Sequence, residues 1–118
     1  MIAMKIDVLQ LIGPVCMTYD DGAKLHDAFR PAFDRGETVE LDFDGTRVFV
    51  SQFFNAAVGQ LLKDCSVEDI RQRLKFVNLP PAANAPLSRS VENAERYYHD
   101  PKYREALDRV LADQAVEA

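Results

Sequence analysis

The stretch Val39-Glu40-Leu41-Asp42-Phe43-Asp44-Gly45-Thr46-Arg47-Val48-Phe49-Val50-Ser51-Gln52-Phe53-Phe54-Asn55-Ala56-Ala57-Val58-Gly59-Gln60-Leu61-Leu62 decides how the chain folds. Its first part alternates. Val39, Leu41 and Phe43 fall on one face and Glu40 and Asp42 on the other, the period of a half-buried strand from Thr38 to Phe43. Its last part, Phe53 to Leu62, is apolar nearly all round and reads as a buried helix. Ala56, Ala57 and Gly59 interrupt the larger side chains there, and small residues let neighbours approach closely. Between the two parts, Asp44-Gly45 admits two readings. An Asp-Gly pair between β-rich runs signals a two-residue hairpin, pairing 38–43 with 46–50. Arg47-Val48-Phe49-Val50 leads at once into the buried helix, so a strand–loop–helix unit competes with the hairpin.

Outward from this centre the elements alternate. Lys5 to Ile12 places Ile6, Val8, Gln10 and Ile12 on one side and Asp7, Leu9 and Leu11 on the other, a strand that Gly13-Pro14 ends. Thr18 and Asp21 have capping-box spacing, and Leu25, Ala28, Phe29, Ala32 and Phe33 follow as a helical stripe that Gly36 stops. Ser66 and Asp69 repeat the capping spacing and open a short helix through Ile70, which feeds a strand from Leu74 to Leu79. Leu79-Pro80-Pro81-Ala82-Ala83-Asn84-Ala85-Pro86 is expected to break regular structure. Val91, Ala94 and Tyr98 mark a further helix. Asp100-Pro101 caps and starts another, striped by Tyr103, Leu107, Val110 and Leu111. The expectation is an α/β fold, a small mixed, partly parallel sheet flanked by helices. It forms a single domain over 1–118 with a C-terminal helical extension at about 87–115.

Composition limits the function classes. The 118 residues suit one domain, for which the expected radius of gyration is about 13 Å. With 47% hydrophobic and 28% charged residues the chain is neither disordered nor fibrous. Its net charge of −5 gives it no general attraction to polyanions, so nonspecific nucleic-acid binding is disfavoured. No apolar run is long enough for a bilayer span, and the charged, alternating N-terminus is unlike a secretory signal. Two cysteines, Cys16 and Cys65, make no disulfide framework, and a reducing cytoplasm is the expected setting. Lys63, Arg71, Arg73 and Lys75 form a local basic group, read as a solvated helix face. His26 and His99 lack partners at ligand spacing, so no metal site and no cofactor are expected. Cys65 beside Asp64 is not placed to be a thiolate.

Leu41-Asp42-Phe43-Asp44-Gly45-Thr46 resembles the first motif of the haloacid dehalogenase superfamily. That resemblance implies a magnesium-dependent phosphatase or phosphotransferase, with Asp42 as nucleophile and Asp44 as general acid/base. The chemistry also needs a lysine for the phosphoryl oxygens and a later acidic pair on a strand. Glu68-Asp69 sits at a helix start instead, and Asp108 and Asp113 lie on the final helix. The 74 residues after Asp44 are too few for a full catalytic domain of that kind.

Val39 to Leu62 also resembles the STAS-like family of bacterial proteins, distant relatives of the STAS domain of anti-sigma factor antagonists and anion-transporter tails. The carriers are Leu41-Asp42-Phe43, the Ser51 loop, Phe54-Asn55-Ala56-Ala57 and Gly59-Gln60-Leu61. Ser66 to Arg71, Leu74 to Leu79 and Val91 to Tyr98 extend the resemblance over nearly the whole chain. It favours the strand–loop–helix reading and implies a non-enzymatic regulatory or protein-interaction domain. The implied partner is a histidine-kinase-like ATPase. In anti-sigma factor antagonists a serine at the next helix start is phosphorylated, and that position falls here on Gln52. Ser51, one place earlier, is expected to cap the helix, a role worth about 1 kcal/mol. The expected partner-binding or regulatory residues are Ser51, Gln52 and Asn55. The competing readings are the phosphotransfer enzyme using Asp42 and Asp44, and a subunit that only self-associates, for example as a homodimer. Asn55, Gln60 and Asn78 are read either as a partner-facing patch or as buried amides paired with backbone.

Overall fold

The computed structural model describes residues 2–117, with side chains as far as Val110. In chain order the elements are β1 (Ile2–Asp7), α1 (Val8–Leu11), β2 (Val15–Cys16), α2 (Tyr19–Asp34), β3 (Thr38–Asp42) and β4 (Val48–Phe49). There follow α3 (Ser51–Ala57), a 3-10 helix (Gly59–Lys63), α4 (Val67–Arg73), β5 (Leu74–Val77), α5 (Pro81–His99) and α6 (Pro101–Glu117).

The expected α/β architecture is present. β3 is the middle strand of a sheet ordered β1-β3-β5, and β2 pairs with β4 in a second, two-stranded ladder. All these pairs are parallel, where the sequence suggested a partly parallel sheet. Parallel neighbours need crossovers, and the helices between strands supply them. The register sets Met4 beside Val39 and Leu74, and Ile6 beside Leu41 and Phe76, which builds the core face. Lys5, Glu40 and Lys75 lie in one row on the other face, and Asp7 and Asp42 in the next. Sequential strand order with right-handed crossovers puts successive helices on the same side of a sheet, so one face is packed and one is polar.

The core is aromatic at its centre. Phe43, Phe53 and Phe54 are fully buried, and Phe49 stacks on Phe54 at 6.0 Å while Phe76 stacks on Phe43 at 6.1 Å. The stripe on α2 buries Leu25, Phe29, Ala32 and Phe33 against this cluster, with Ala28 half-buried. α2 and α3 approach so closely that a Cβ on Gly22 would lie 2.1 Å from the Phe53 carbonyl oxygen and 2.9 Å from the Ala56 Cβ.

Several expectations are corrected. The Lys5–Ile12 alternation does not make one strand. β1 ends at Asp7 because its partner β3 ends at Asp42. Asp7 then accepts a hydrogen bond from Gln10 N at 3.1 Å and caps the single turn of α1. The Asp44-Gly45 hairpin does not form, because β1 and β5 already occupy both edges of β3. Instead Gly45 takes a positive φ of 85°, and Val48–Phe49 leaves the sheet to pair with β2. The proline stretch breaks structure only at Leu79 and Pro80. Pro81 starts α5 at a position with no N–H to lose, and the helix continues through Pro86.

Other local readings hold. Thr18 Oγ1 accepts from Asp21 N at 3.0 Å, and Ser66 and Asp69 form a complete capping box. Asp100 accepts from the N–H groups of Lys102 and Tyr103 and starts α6. Val91, Ala94 and Tyr98 are half-buried on α5, and Tyr103 and Leu107 are half-buried on α6, whereas Val110 is exposed. The Leu111 side chain lies outside the described residues. α6 packs on α5; the molecule measures 45 × 28 × 23 Å, and its radius of gyration of 15.0 Å is above the expectation of about 13 Å for a compact chain of this length.

Candidate functional site

The start of α3 sits where the β2–β4 ladder ends. Val50 N donates to Cys16 O at 3.1 Å, which continues the ladder by one bond and delivers the chain to Ser51. Val50, not Ser51, is the N-cap of α3, and it makes no side-chain cap bond. The expected capping role of Ser51 is therefore overturned: extended backbone ends one residue sooner than expected, at Val50, and the hydroxyl falls inside the first turn. The Ser51 carbonyl instead accepts from Ser90 Oγ on α5 at 3.0 Å, a bond that fixes the helix start from the side. Ser51 is half-buried, while Gln52 and Asn55 are exposed on the same helix. The structure thus brings the three expected site residues together on one accessible turn.

Beside that turn lies an apolar collar that pattern reading missed. Val15 and Val48, in register on β2 and β4, are 42% and 43% exposed. Met17 and Tyr19, on the segment leading into α2, are 43% and 54% exposed. β2 is only two residues long, and nothing in its local sequence marks it as a strand, so the pairing that gathers these side chains was invisible.

Asn55 opens into a groove of about 330 Å³ between α2, α3, α5 and α6. Tyr19, Tyr97, Tyr98 and Tyr103, which are all the tyrosines of the chain, line it with Gln60 and Asn93. Gln60 Nε2 donates to Ala56 O, and Asn78 Nδ2 donates to Asp42 Oδ1 at 3.0 Å. Among these amides none is a buried core group. A larger groove of about 860 Å³ lies between β5, α4 and α5, with Ile70, Leu74, Leu87 and Val91 in its walls and Arg71, Lys75 and Glu92 at its rim.

The carboxylate of Asp42 holds a corner together. Its Oδ1 accepts from Asn78 Nδ2 and from Asp44 N, each at 3.0 Å, and these bonds, Asn78 first, keep its pKa below the usual carboxylate range. Asn78 reaches it from a left-handed conformation, φ 53°. This supports Asp42 as the anchor of a turn.

The basic group is dispersed in role. Arg73 stacks over the Phe33 ring at 4.2 Å and donates to Phe33 O, Lys75 donates to Arg71 O, and Lys63 is exposed. His26 is buried, with Nδ1 3.3 Å from Ala57 O, and burial lowers its pKa. Burial raises the thiol of Cys16 to about 11 and, with Asp69 second, raises that of Cys65, so neither is poised as a nucleophile. Among the described residues no cluster of three or more His, Cys, Asp or Glu is arranged to hold a metal ion, and no helix is long and apolar enough to cross a membrane.

Residues 21–82, just over half of the chain, match the family described as a STAS-like domain of unknown function (DUF4325). The chain belongs to this family. The match runs from the first turn of α2 to the first turn of α5, so the STAS-like unit contains β3, the Asp42 corner, the start of α3 and β5. β1, β2 and most of α5 and α6 lie outside the matched span. No curated protein and no solved structure matches the chain.

Proposed function

We propose that this STAS-like domain is a protein-interaction module, without catalytic activity of its own, that meets its partner through the first turn of α3 and the apolar collar beside it. The observation that carries the reading is the collar. Val15, Met17, Tyr19 and Val48 are each more than two-fifths exposed; Val15 and Val48 pair on the ladder that runs into the start of α3, and Tyr19 lines a groove with Asn55. Exposed apolar side chains gathered on one short ladder suit a docking site.

Family resemblance makes a histidine-kinase-like ATPase the partner class to test first. Gln52, at the position of the phospho-acceptor, has no hydroxyl, so binding is read as independent of phosphorylation there. The free cysteines Cys16 and Cys65 suit a reducing cytoplasm. A second copy of the chain is the alternative occupant of the same collar, and sedimentation of the purified protein distinguishes the two.

The test uses Val48→Asp and Gln52→Lys, both at exposed positions. Each should weaken capture of a purified ATPase partner while leaving the melting temperature close to wild type. Equal binding by wild type and both variants would move the site elsewhere, with the basic group Lys63, Arg71, Arg73 and Lys75 next. Magnesium-dependent hydrolysis of phosphomonoesters that Asp42→Asn abolishes would replace this reading with the phosphotransfer one.

A further inference from the structure

The tyrosine groove has a chemistry of its own. Its ten lining residues include no charged side chain, in a chain that is 28% charged. The lining is aromatic and amide, with the small residues Gly59 and Ala94 between them; a Cβ on the glycine would make an ordinary contact, 3.5 Å, with the alanine Cβ. The aromatic walls are held in place. Tyr97 donates its hydroxyl to Asp108 at 3.0 Å and packs edge-on against Tyr98, with centroids 5.1 Å apart. The Arg96 guanidinium lies 4.7 Å from the centre of the Tyr103 ring. Asn55 and Asn93 line the groove, are exposed, and make no side-chain hydrogen bond among the described residues.

We propose that this groove binds a proline-rich segment in the polyproline II conformation, carried by the partner protein. The proposal rests on the protein-interaction reading above and names the kind of segment that the site accepts. A phosphate or a nucleic acid would need basic groups in the lining, and there are none. An amphipathic helix wants a continuous aliphatic trough, whereas Tyr, Asn and Gln dominate here. Proline rings are compact and apolar and pack between tyrosines, and a proline backbone presents carbonyl acceptors without N–H donors. Asn55 and Asn93 supply donors for such carbonyls. The segment is already extended before it binds, so little ordering entropy is lost on a small, open surface. Asp108, placed by the Tyr97 hydroxyl at the edge of the groove, gives a basic residue next to the prolines a carboxylate to meet.

The chain carries its own reporter. It has no tryptophan, and every tyrosine lines this groove, so intrinsic tyrosine emission reads occupancy directly. The full chain is titrated with a synthetic decapeptide of prolines bearing one terminal arginine, up to about 1 mM, a range that reaches weak binding. The expected result is a saturable change in emission that an alanine-for-proline control peptide does not produce. Asn55→Ala and Asn93→Ala should each weaken binding about threefold to tenfold, the scale of one lost hydrogen bond, with circular dichroism unchanged. A glutamate in place of the peptide's arginine should weaken it as well. No saturable response, or a response that both asparagine variants leave intact, overturns the proposal. Saturation by maltotriose and not by the peptide would overturn it in favour of a neutral sugar. Partner binding that Val48→Asp disrupts while the peptide stays inert would sink the groove proposal and leave the interaction reading standing. The reverse pattern would sink that reading's collar and keep the groove.

Discussion

Replacing Gly22 by alanine sets two effects of opposite sign against each other. In an unobstructed helix the change stabilises by about 0.5–1 kcal/mol, because glycine loses more backbone freedom on folding. At Gly22 the new Cβ would lie 2.1 Å from the Phe53 carbonyl oxygen and 2.9 Å from the Ala56 Cβ. An ordinary contact begins near 3.4 Å, and the nearer obstacle is backbone, so α2 and α3 must part by roughly 1 Å. That seam also holds His26 against Ala57 O and Phe53 against the core, and none of these can follow both helices. Overpacking a close-packed interface costs about 1–3 kcal/mol, which exceeds the propensity gain. The net loss should be about 1–2 kcal/mol, or roughly 3–12 °C in melting temperature for a chain of this size. Urea unfolding followed by circular dichroism measures it, with an unchanged slope showing that stability and not compactness moved. Adding Ala56→Gly removes the 2.9 Å contact but not the carbonyl, so it should recover only part of the loss. A Gly22→Ala protein more stable than wild type would show that helix propensity decides and that the seam has slack.

Ser66→Ala should cost about 1 kcal/mol by removing one half of a capping box, whereas Ser51→Ala should cost much less because Val50 holds the cap position. Thermal melts of both variants check the pair. Phe54→Ala should cost about 3–5 kcal/mol through the cavity left in the aromatic core, while Gln52→Lys should leave unfolding midpoints unchanged. Burial holds the folded pKa of His26 below its unfolded value of about 6.5, so between the two the unfolded chain binds more protons. Stability should therefore be full above about pH 6.5 and fall as pH drops toward the folded pKa. His26→Asn, which keeps a donor for Ala57 O, should flatten that slope, and urea midpoints between about pH 5 and 7.5 would reveal it if it does not.

Ser51, Gln52 and Asn55 stand out in the sequence because they belong to one short, otherwise apolar helix. An exposed polar residue in an otherwise apolar segment stands out without knowledge of any neighbour. The errors share a cause. The alternation at Lys5–Ile12 was real, but strand length is set by the partner, and β3 stops at Asp42. The Asp-Gly hairpin signal was real too, yet a hairpin needs a free edge that the middle strand does not have. The helix expected to follow a Ser51 cap begins at Ser51 itself, because the ladder with β2 makes its last bond at Val50 and extended backbone ends there.

By itself the sequence determined what lies within about four residues of itself: the stripe of α2, the Ser66–Asp69 box, the alternation of β3, the start of α6 at Asp100-Pro101. These depend on helical and strand periods and on side chains reaching their own nearby backbone, and both act locally. The tertiary structure alone decided the parallel order β1-β3-β5, the collar of Val15, Met17, Tyr19 and Val48, and the gathering of the tyrosines. Tyr19 and Tyr103 stand 84 positions apart in the chain and line one groove. No local rule brings them together. Burying the phenylalanine cluster packs α2 and α5 around α3, and the groove is the surface that this packing leaves between them.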